Sequence, residues 1–181
     1  MIPAGYMYKR IARPEWLPCS NVTKIYAVSS CISKDFTNYI SYWKHNKYWF
    51  FNRPEDMDSI LTEEKISEEL ELLFYELYEN EFDEEEKAWQ EITAEESFGV
   101  QVKSPRQKDF LGFDIVSYSM GNSHECSPLS CNLLCQEVGV NEFCLLDDLE
   151  KAIQITESLN GKKAEPGPYR IIAVHKINKS T

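Results

Sequence analysis

Cysteine and histidine side chains cluster in the segment 124–135, where they could bind a metal ion. Its sequence, HECSPLSCNLLC, holds three of the six cysteines of this 181-residue chain. Thiolate and imidazole groups are the usual ligands of zinc, so a tetrahedral site could use His124, Cys126, Cys131 and Cys135. The Cys-x2-Cys pair that is typical of zinc sites is absent from the sequence. The alternative is a purely structural role, in which Cys131 and Cys135 share one face of a helix and pack in the core.

Cys131 and His175 give a catalytic interpretation of the same segment, that of a cysteine-dependent hydrolase or transferase. Ser127 followed by Pro128 is a typical helix start, which puts Cys131 near the first turn. The helix dipole would lower the pKa of a thiol there. His175 would be the base, and its order after the cysteine is that of papain-like enzymes, but no Gly-rich or Trp-flanked signature surrounds Cys131.

Acidic residues concentrate in one segment, Thr62 to Glu96. It contains 15 acidic and 2 basic residues, against 30 and 19 in the whole chain, so the rest of the sequence is close to neutral. Charge runs are usually solvated faces. A functional interpretation is a surface that docks a basic protein, with electrostatics accelerating association. The expected partner-binding residues are Glu79, Glu81, Asp83, Glu84, Glu85 and Glu86.

Composition and motifs exclude several classes of function. Direct nucleic-acid binding is disfavoured because no basic patch offsets the net charge of -11. No nucleotide-binding or serine-hydrolase motif occurs, and we expect no cofactor. We expect neither a secretory signal nor a membrane span, since the N-terminal residues lack the pattern of a signal and no apolar run is long enough. These features predict a cytoplasmic protein with reduced thiols and no membrane partner.

The hydrophobic pattern predicts the elements that would position these residues. Ile66, Leu70, Leu73 and Leu77 follow a helical stripe, and Asp83 with Glu86 resembles a capping box. The acidic segment is therefore predicted to be a helical hairpin. Further helices are expected over 35–45, from Ser127 to about Val138, and from Asp147 or Asp148 to about Leu159. Strands are expected at 6–12, 24–29, 113–118, 142–146 and 169–174.

Fold class follows from how these elements alternate. Strands and helices are interspersed without a regular βαβ rhythm, and no internal repeat is visible in the sequence. The expected fold is a single α+β domain over residues 1–181, with a small mixed or antiparallel sheet packed with several helices, including the acidic hairpin.

Three segments resemble parts of bacterial proteins of similar length and unknown function. They are 42–46 (YWKHN), 125–132 (ECSPLSCN) and 165–170 (EPGPYR). The resemblance implies a bacterial, cytoplasmic origin and no particular activity. The leading hypothesis from the sequence is a non-enzymatic protein-binding module, of the inhibitor or immunity type. Its alternatives are the cysteine-dependent enzyme and the structural zinc protein, and the oligomeric state is undetermined.

Overall fold

The computed structural model describes residues 1–12, 14–35, 45–63, 69–92, 99–119, 123–160 and 163–178. The elements are, in chain order, β1 (Ile2–Lys9), α1 (Pro54–Glu63), β2 (Glu71–Asp83), β3 (Ala88–Glu91), β4 (Asp109–Ser117), α2 (Leu149–Ser158) and β5 (Tyr169–Lys176), with a short 3-10 helix at Leu134–Gln136 before α2. The helix expected over 35–45 falls almost entirely outside the described residues.

The strands form one antiparallel sheet in the order β1-β2-β5-β4, and β3 pairs with the far end of β2. In the central pair of strands, Tyr75 of β2 lies opposite Val174 of β5. The expectation of a small sheet packed with several helices is wrong. Within the described ranges the architecture is mostly sheet, and α1 and α2 are its two short α-helices.

The acidic segment is the main departure from the sequence-based prediction, because its described part forms β2, a turn and β3. The run from Leu72 to Tyr75 is buried on both faces of the sheet, as a central strand requires. A helix would have exposed part of this apolar run. Asp83 does accept hydrogen bonds from the backbone N–H groups of Glu85 and Glu86, but these close a hairpin turn instead of capping a helix.

The C-terminal half follows the sequence more closely. The predicted strands at 113–118 and 169–174 are confirmed as β4 and β5, and the predicted last helix is α2. Asp148 caps α2 by accepting a hydrogen bond from the Lys151 N–H. The helix expected from Ser127 to Val138 is wrong, since that segment consists of turns and the short 3-10 helix. The strands expected at 24–29 and 142–146 are single bridges at Ile25 and Leu146.

Two halves of the chain share one connectivity, although the sequence shows no repeat. Each half runs from an edge strand through a long loop, an asparagine-centred turn and a helix to a central strand. Asn46 and Asn141 each accept hydrogen bonds from two backbone N–H groups of their own turn and donate to the carbonyl of the neighbouring edge strand. Both turns lie against a glycine with positive φ, Gly5 at 145° and Gly112 at 141°. The structure therefore contains a repeated connectivity that the sequence pattern does not show.

The two faces of the sheet are covered differently. On one face, α2 packs over the core that contains Ile115 and Ile171. On the other, which we call the loop face, register places Lys9, Tyr75 and Asp114 on the same side. Parts of both long loops lie on this face, where Lys9 contacts Val28 and Asp114 contacts Ser127. The segments between each edge strand and the following helix, 10–53 and 118–148, contain all six cysteines.

Candidate metal site

Three cysteines from the two loops meet above the loop face. Their sulfur atoms, those of Cys31, Cys126 and Cys131, all lie within 4.8 Å of one another. Cys31 is exposed, Cys131 is half-buried and Cys126 is buried. We call these three residues the thiol site. Neither loop forms it alone, because Cys31 comes from the loop of the first half and the other two come from the second.

Lys9 fixes the loop that carries Cys31. Its side chain is fully buried, and its ammonium group donates to the carbonyl oxygens of Val28, Ser29 and Ser33 at 2.5, 3.0 and 2.9 Å. It also forms an ion pair with Asp35 at 3.2 Å. A buried charge persists only when it is paired and hydrogen-bonded, as it is here. The loop therefore has little freedom to move away from β1.

Asp114 joins the two loops to each other. One of its carboxylate oxygens accepts hydrogen bonds from the Val28 N–H at 2.8 Å and from the Ser127 hydroxyl at 2.6 Å. The Ser127 oxygen in turn accepts from the Ser29 N–H at 3.1 Å. This network spans the residues next to Cys126 and those preceding Cys31. The network therefore sets the distance between the loop that carries Cys31 and the loop that carries Cys126 and Cys131.

The thiols within the site influence one another's ionisation. Hydrogen bonds from Cys126 and Cys131 lower the pKa of Cys31 to about 3, and the ammonium of Lys9 acts in the same direction. The pKa of Cys126 is raised because its proton is held by neighbouring sulfur. Cys131 has a raised pKa too: its bond with Cys126 lowers it, but Cys31 and burial outweigh that effect. Cys31 is therefore the member of the site that ionises most readily.

Polar contacts around the sulfurs limit which protons are available. Cys126 has one thiol proton, and its sulfur also lies 3.1 Å from the Asn132 side-chain oxygen. The Cys31 sulfur lies 3.1 Å from the carbonyl oxygen of Glu125, which only a protonated thiol can contact favourably. That carbonyl therefore opposes ionisation of Cys31. A cation bound to all three sulfurs would displace these protons.

The four ligands proposed from the sequence are only partly brought together. Cys126 and Cys131 are in the thiol site, but Cys135 forms a disulfide with Cys19, so the expectation that all six cysteines are reduced differs from the structure. His124 packs its ring against Phe50, with 4.3 Å between ring centroids, and its Nε2 atom has no hydrogen-bond partner among the described residues. Burial lowers the pKa of His124 well below its usual value.

Cys131 and His175, the catalytic pair expected from the sequence, contact different residues. His175 lies on β5, where its Nε2 atom is 2.7 Å from a Glu76 carboxylate oxygen and its ring packs beside Phe110. Cys131 lies near Ser29 on the loop side, with 3.7 Å between the hydroxyl oxygen and the sulfur. The expected helix start that would have lowered the pKa of Cys131 is absent from this described segment, and its pKa is raised instead.

The six acidic residues proposed as a docking surface are divided in their roles. Glu81 is buried and accepts a 2.7 Å hydrogen bond from Arg170 in an ion pair. Glu84 accepts a hydrogen bond from the Tyr169 hydroxyl, and Asp83 closes the turn. The other three, Glu79, Glu85 and Glu86, are exposed. Half of the predicted surface therefore contributes to internal contacts.

Comparisons of this chain with protein families, curated proteins and solved structures find no match. Among the residues that the structure describes, no helix has the length and apolar character needed to cross a bilayer.

Cys31 is the member of the site that sequence reasoning missed. It lies 95 positions before Cys126, and nothing in its flanking sequence resembles a ligand motif. The available signal was indirect, because Lys9 and Asp114 are charged residues within strand-like apolar runs. Such residues are buried only when something specific satisfies them. Here they hold the loops that bring the three sulfurs together.

Proposed function

We propose that this protein binds a thiophilic cation of the zinc class through Cys31, Cys126 and Cys131. One observation supports the proposal best: two separate loops contribute three sulfur atoms that lie within 4.8 Å of one another. Soft thiolate ligands select zinc, copper(I) and related ions over magnesium or calcium.

The surroundings of the sulfurs fit a cation held by thiolates. Three thiolates carry three negative charges, and a divalent cation would neutralise most of that charge. The buried ammonium of Lys9 lies close enough to lower the pKa of Cys31, so it would help to balance the rest. Asp114 and Ser127 hold the backbone on both sides of the site, as outer groups commonly do around metal ligands.

Three protein ligands leave one position of a tetrahedral ion for another group. Structural zinc sites normally have four protein ligands, whereas sites with three keep the fourth position for water or an external ligand. Cys31 is exposed, so this side of the site is accessible from solvent. The proposed function is therefore that of a metal site open to an exchangeable ligand.

Titration of the reduced, full-length protein with cobalt(II) tests the proposal. Cobalt bound to thiolates gives intense sulfur-to-metal absorption in the near ultraviolet, and its visible bands report tetrahedral geometry. We expect saturation at one equivalent, with the absorption reduced by Cys31→Ser, Cys126→Ser or Cys131→Ser. A Cys19→Ala/Cys135→Ala variant should behave like wild type. Unaltered absorption in the three serine variants, or no absorption in folded wild type, would overturn the proposal.

The cytoplasm remains our proposed location for the protein. The closely spaced free thiols of the site support a reducing compartment, whereas the Cys19–Cys135 disulfide opposes it. Rapid alkylation of thiols in intact host cells, followed by mass spectrometry of the protein, tests this point. Predominantly alkylated Cys19 and Cys135 would support a reducing compartment, and a fully formed disulfide would count against it.

The basic-partner surface is less well supported than the metal site. Its remaining exposed members, Glu79, Glu85 and Glu86, are distributed over β2 and the following turn. The internal roles of Glu81 and Glu84 explain part of the acidic composition without any partner.

A further inference from the structure

We infer that the thiol site, in its metal-free form, reduces hydroperoxides by forming a disulfide between Cys31 and one of its two neighbouring cysteines. The inference shares its residues with the proposed function and adds an activity that regulates metal binding. It rests on three features of the described residues: one accessible sulfur, two less accessible sulfurs beside it, and an existing disulfide between the same two loops.

Accessibility decides which sulfur reacts first. Cys31 is exposed, whereas Cys126 is buried with 5% of its surface accessible and Cys131 is half-buried. A hydroperoxide arriving from solvent therefore meets Cys31 before the others. Oxidation of thiols depends strongly on access, so Cys31 is the expected site of attack.

Proximity decides how an oxidised Cys31 is resolved. The Cys126 and Cys131 sulfurs both lie within 4.8 Å of the Cys31 sulfur. Forming a bond requires them to approach to about 2.05 Å, a movement of less than about 3 Å. The loops tolerate a covalent link, because Cys19 and Cys135 already join them elsewhere. An oxidised Cys31 is therefore next to a thiol that can form a disulfide with it.

The reaction is balanced without any other reductant. The Cys31 thiolate attacks the terminal oxygen of ROOH; the O–O bond breaks, and RO⁻ leaves and takes up a proton to give ROH. Cys31 is then a sulfenic acid, S–OH. The thiol of Cys126 or Cys131 attacks that sulfur and forms the S–S bond, and its proton joins the departing hydroxide, which leaves as water. Two thiols supply both electrons, and the hydroperoxide is reduced to an alcohol and water.

Metal binding and this oxidation exclude each other. A cation on the three sulfurs occupies the electron pairs that attack the peroxide, and a disulfide removes two of the three ligands. The oxidised protein should therefore release its metal ion. The chemical class of the oxidant is a small hydroperoxide, such as hydrogen peroxide or an alkyl hydroperoxide.

The test uses full-length protein that has been reduced, treated with a chelator and exposed to one equivalent of hydrogen peroxide. Peptide mass spectrometry should find a disulfide that contains Cys31 in wild type and in Cys144→Ala, whose altered thiol is outside the site. Cys126→Ser/Cys131→Ser should stop at a Cys31 sulfenic acid that dimedone traps. Cys31→Ser should consume peroxide at least about tenfold more slowly.

Two results would overturn the inference. One is a Cys31→Ser rate equal to that of wild type, and the other is oxidation that leaves Cys31 as a free thiol. Cobalt binding measured on the same samples separates this inference from the proposed function. Peroxide reactivity without cobalt binding would contradict the metal proposal alone. Cobalt binding without a Cys31 disulfide would contradict the proposed hydroperoxide activity alone.

Discussion

The carboxylate of Asp114 accepts a 2.6 Å hydrogen bond from the hydroxyl of Ser127, the residue that follows Cys126. The same carboxylate oxygen accepts from the Val28 N–H in the other loop. A single buried side chain on β4 thus connects the two loops that contribute cysteines to the thiol site. This connection makes the sheet, and not the loops themselves, responsible for the spacing of the sulfurs.

Asp114 should make the protein more stable at mildly acidic pH. Burial raises its pKa to about 7, whereas an aspartate in an unfolded chain titrates at about 3.9. The folded state therefore binds the proton more tightly, and the free energy of unfolding rises as the pH falls from about 7 to about 4. Relative to Asp114→Asn, wild type should gain on the order of 2 kcal/mol between about pH 8 and about pH 5. Urea denaturation at both pH values measures this gain. A stability difference between wild type and Asp114→Asn that does not change with pH would contradict the prediction.

Lys9→Met should destabilise the fold strongly. The substitution keeps the side-chain length but removes the ammonium that three loop carbonyls and Asp35 contact. Breaking a buried ion pair by removing one partner costs about 3–5 kcal/mol. Lys24→Met is the matched control, because the Lys24–Glu71 ion pair is 3.4 Å long with Lys24 about half exposed, and such pairs contribute less than about 1 kcal/mol. Urea denaturation should separate the two variants; equal losses would contradict the role given to Lys9.

The two asparagine-centred turns should respond alike to mutation. Asn46→Ala and Asn141→Ala each remove two acceptor contacts to backbone N–H groups and a 2.8 Å donation to an edge-strand carbonyl. The affected groups are buried at Asn46 and partly buried at Asn141, and leaving them unsatisfied should lower the free energy of unfolding by about 2–4 kcal/mol in either variant. Asn21→Ala, which loses one exposed hydrogen bond to Val140, should cost less than about 1 kcal/mol. Strongly unequal effects at Asn46 and Asn141 in thermal or urea unfolding would argue against equivalent turns.

Local signals predicted α2 and β5, although the helix expected from Ser127 to Val138 is wrong. The cap at Asp148 and the apolar strand that ends at Lys176 depend on neighbouring residues, so periodicity and capping rules found both. The acidic segment misled the same rules. Its leucines fit a helical stripe, but the neighbouring Phe74 and Tyr75 complete an apolar run that suits a strand buried on both faces. Long-range pairing with β5 decided between the two.

The thiol site was only half predictable. Cys126 and Cys131 are close in sequence, so their shared chemistry was visible at once. Cys31 reaches them through loop contacts made by Lys9 and Asp114, and no local pattern encodes such contacts. The internal repeat was hidden for a similar reason, since it is carried by backbone geometry at Gly5 and Gly112 and by the hydrogen bonds of two asparagines.

The affinity of the reduced protein for zinc, measured by competition with a chromogenic chelator, tests the central claim most directly. Wild type and Cys144→Ala should bind one ion with the same affinity. Loss of groups that merely support metal ligands weakens binding by about 10–100-fold, so Cys31→Ser, which loses a ligand itself, should bind about 100-fold more weakly while remaining folded. Equal affinity of Cys31→Ser and wild type, or no competition by the folded wild-type protein, would contradict the claim that the two loops build a metal site.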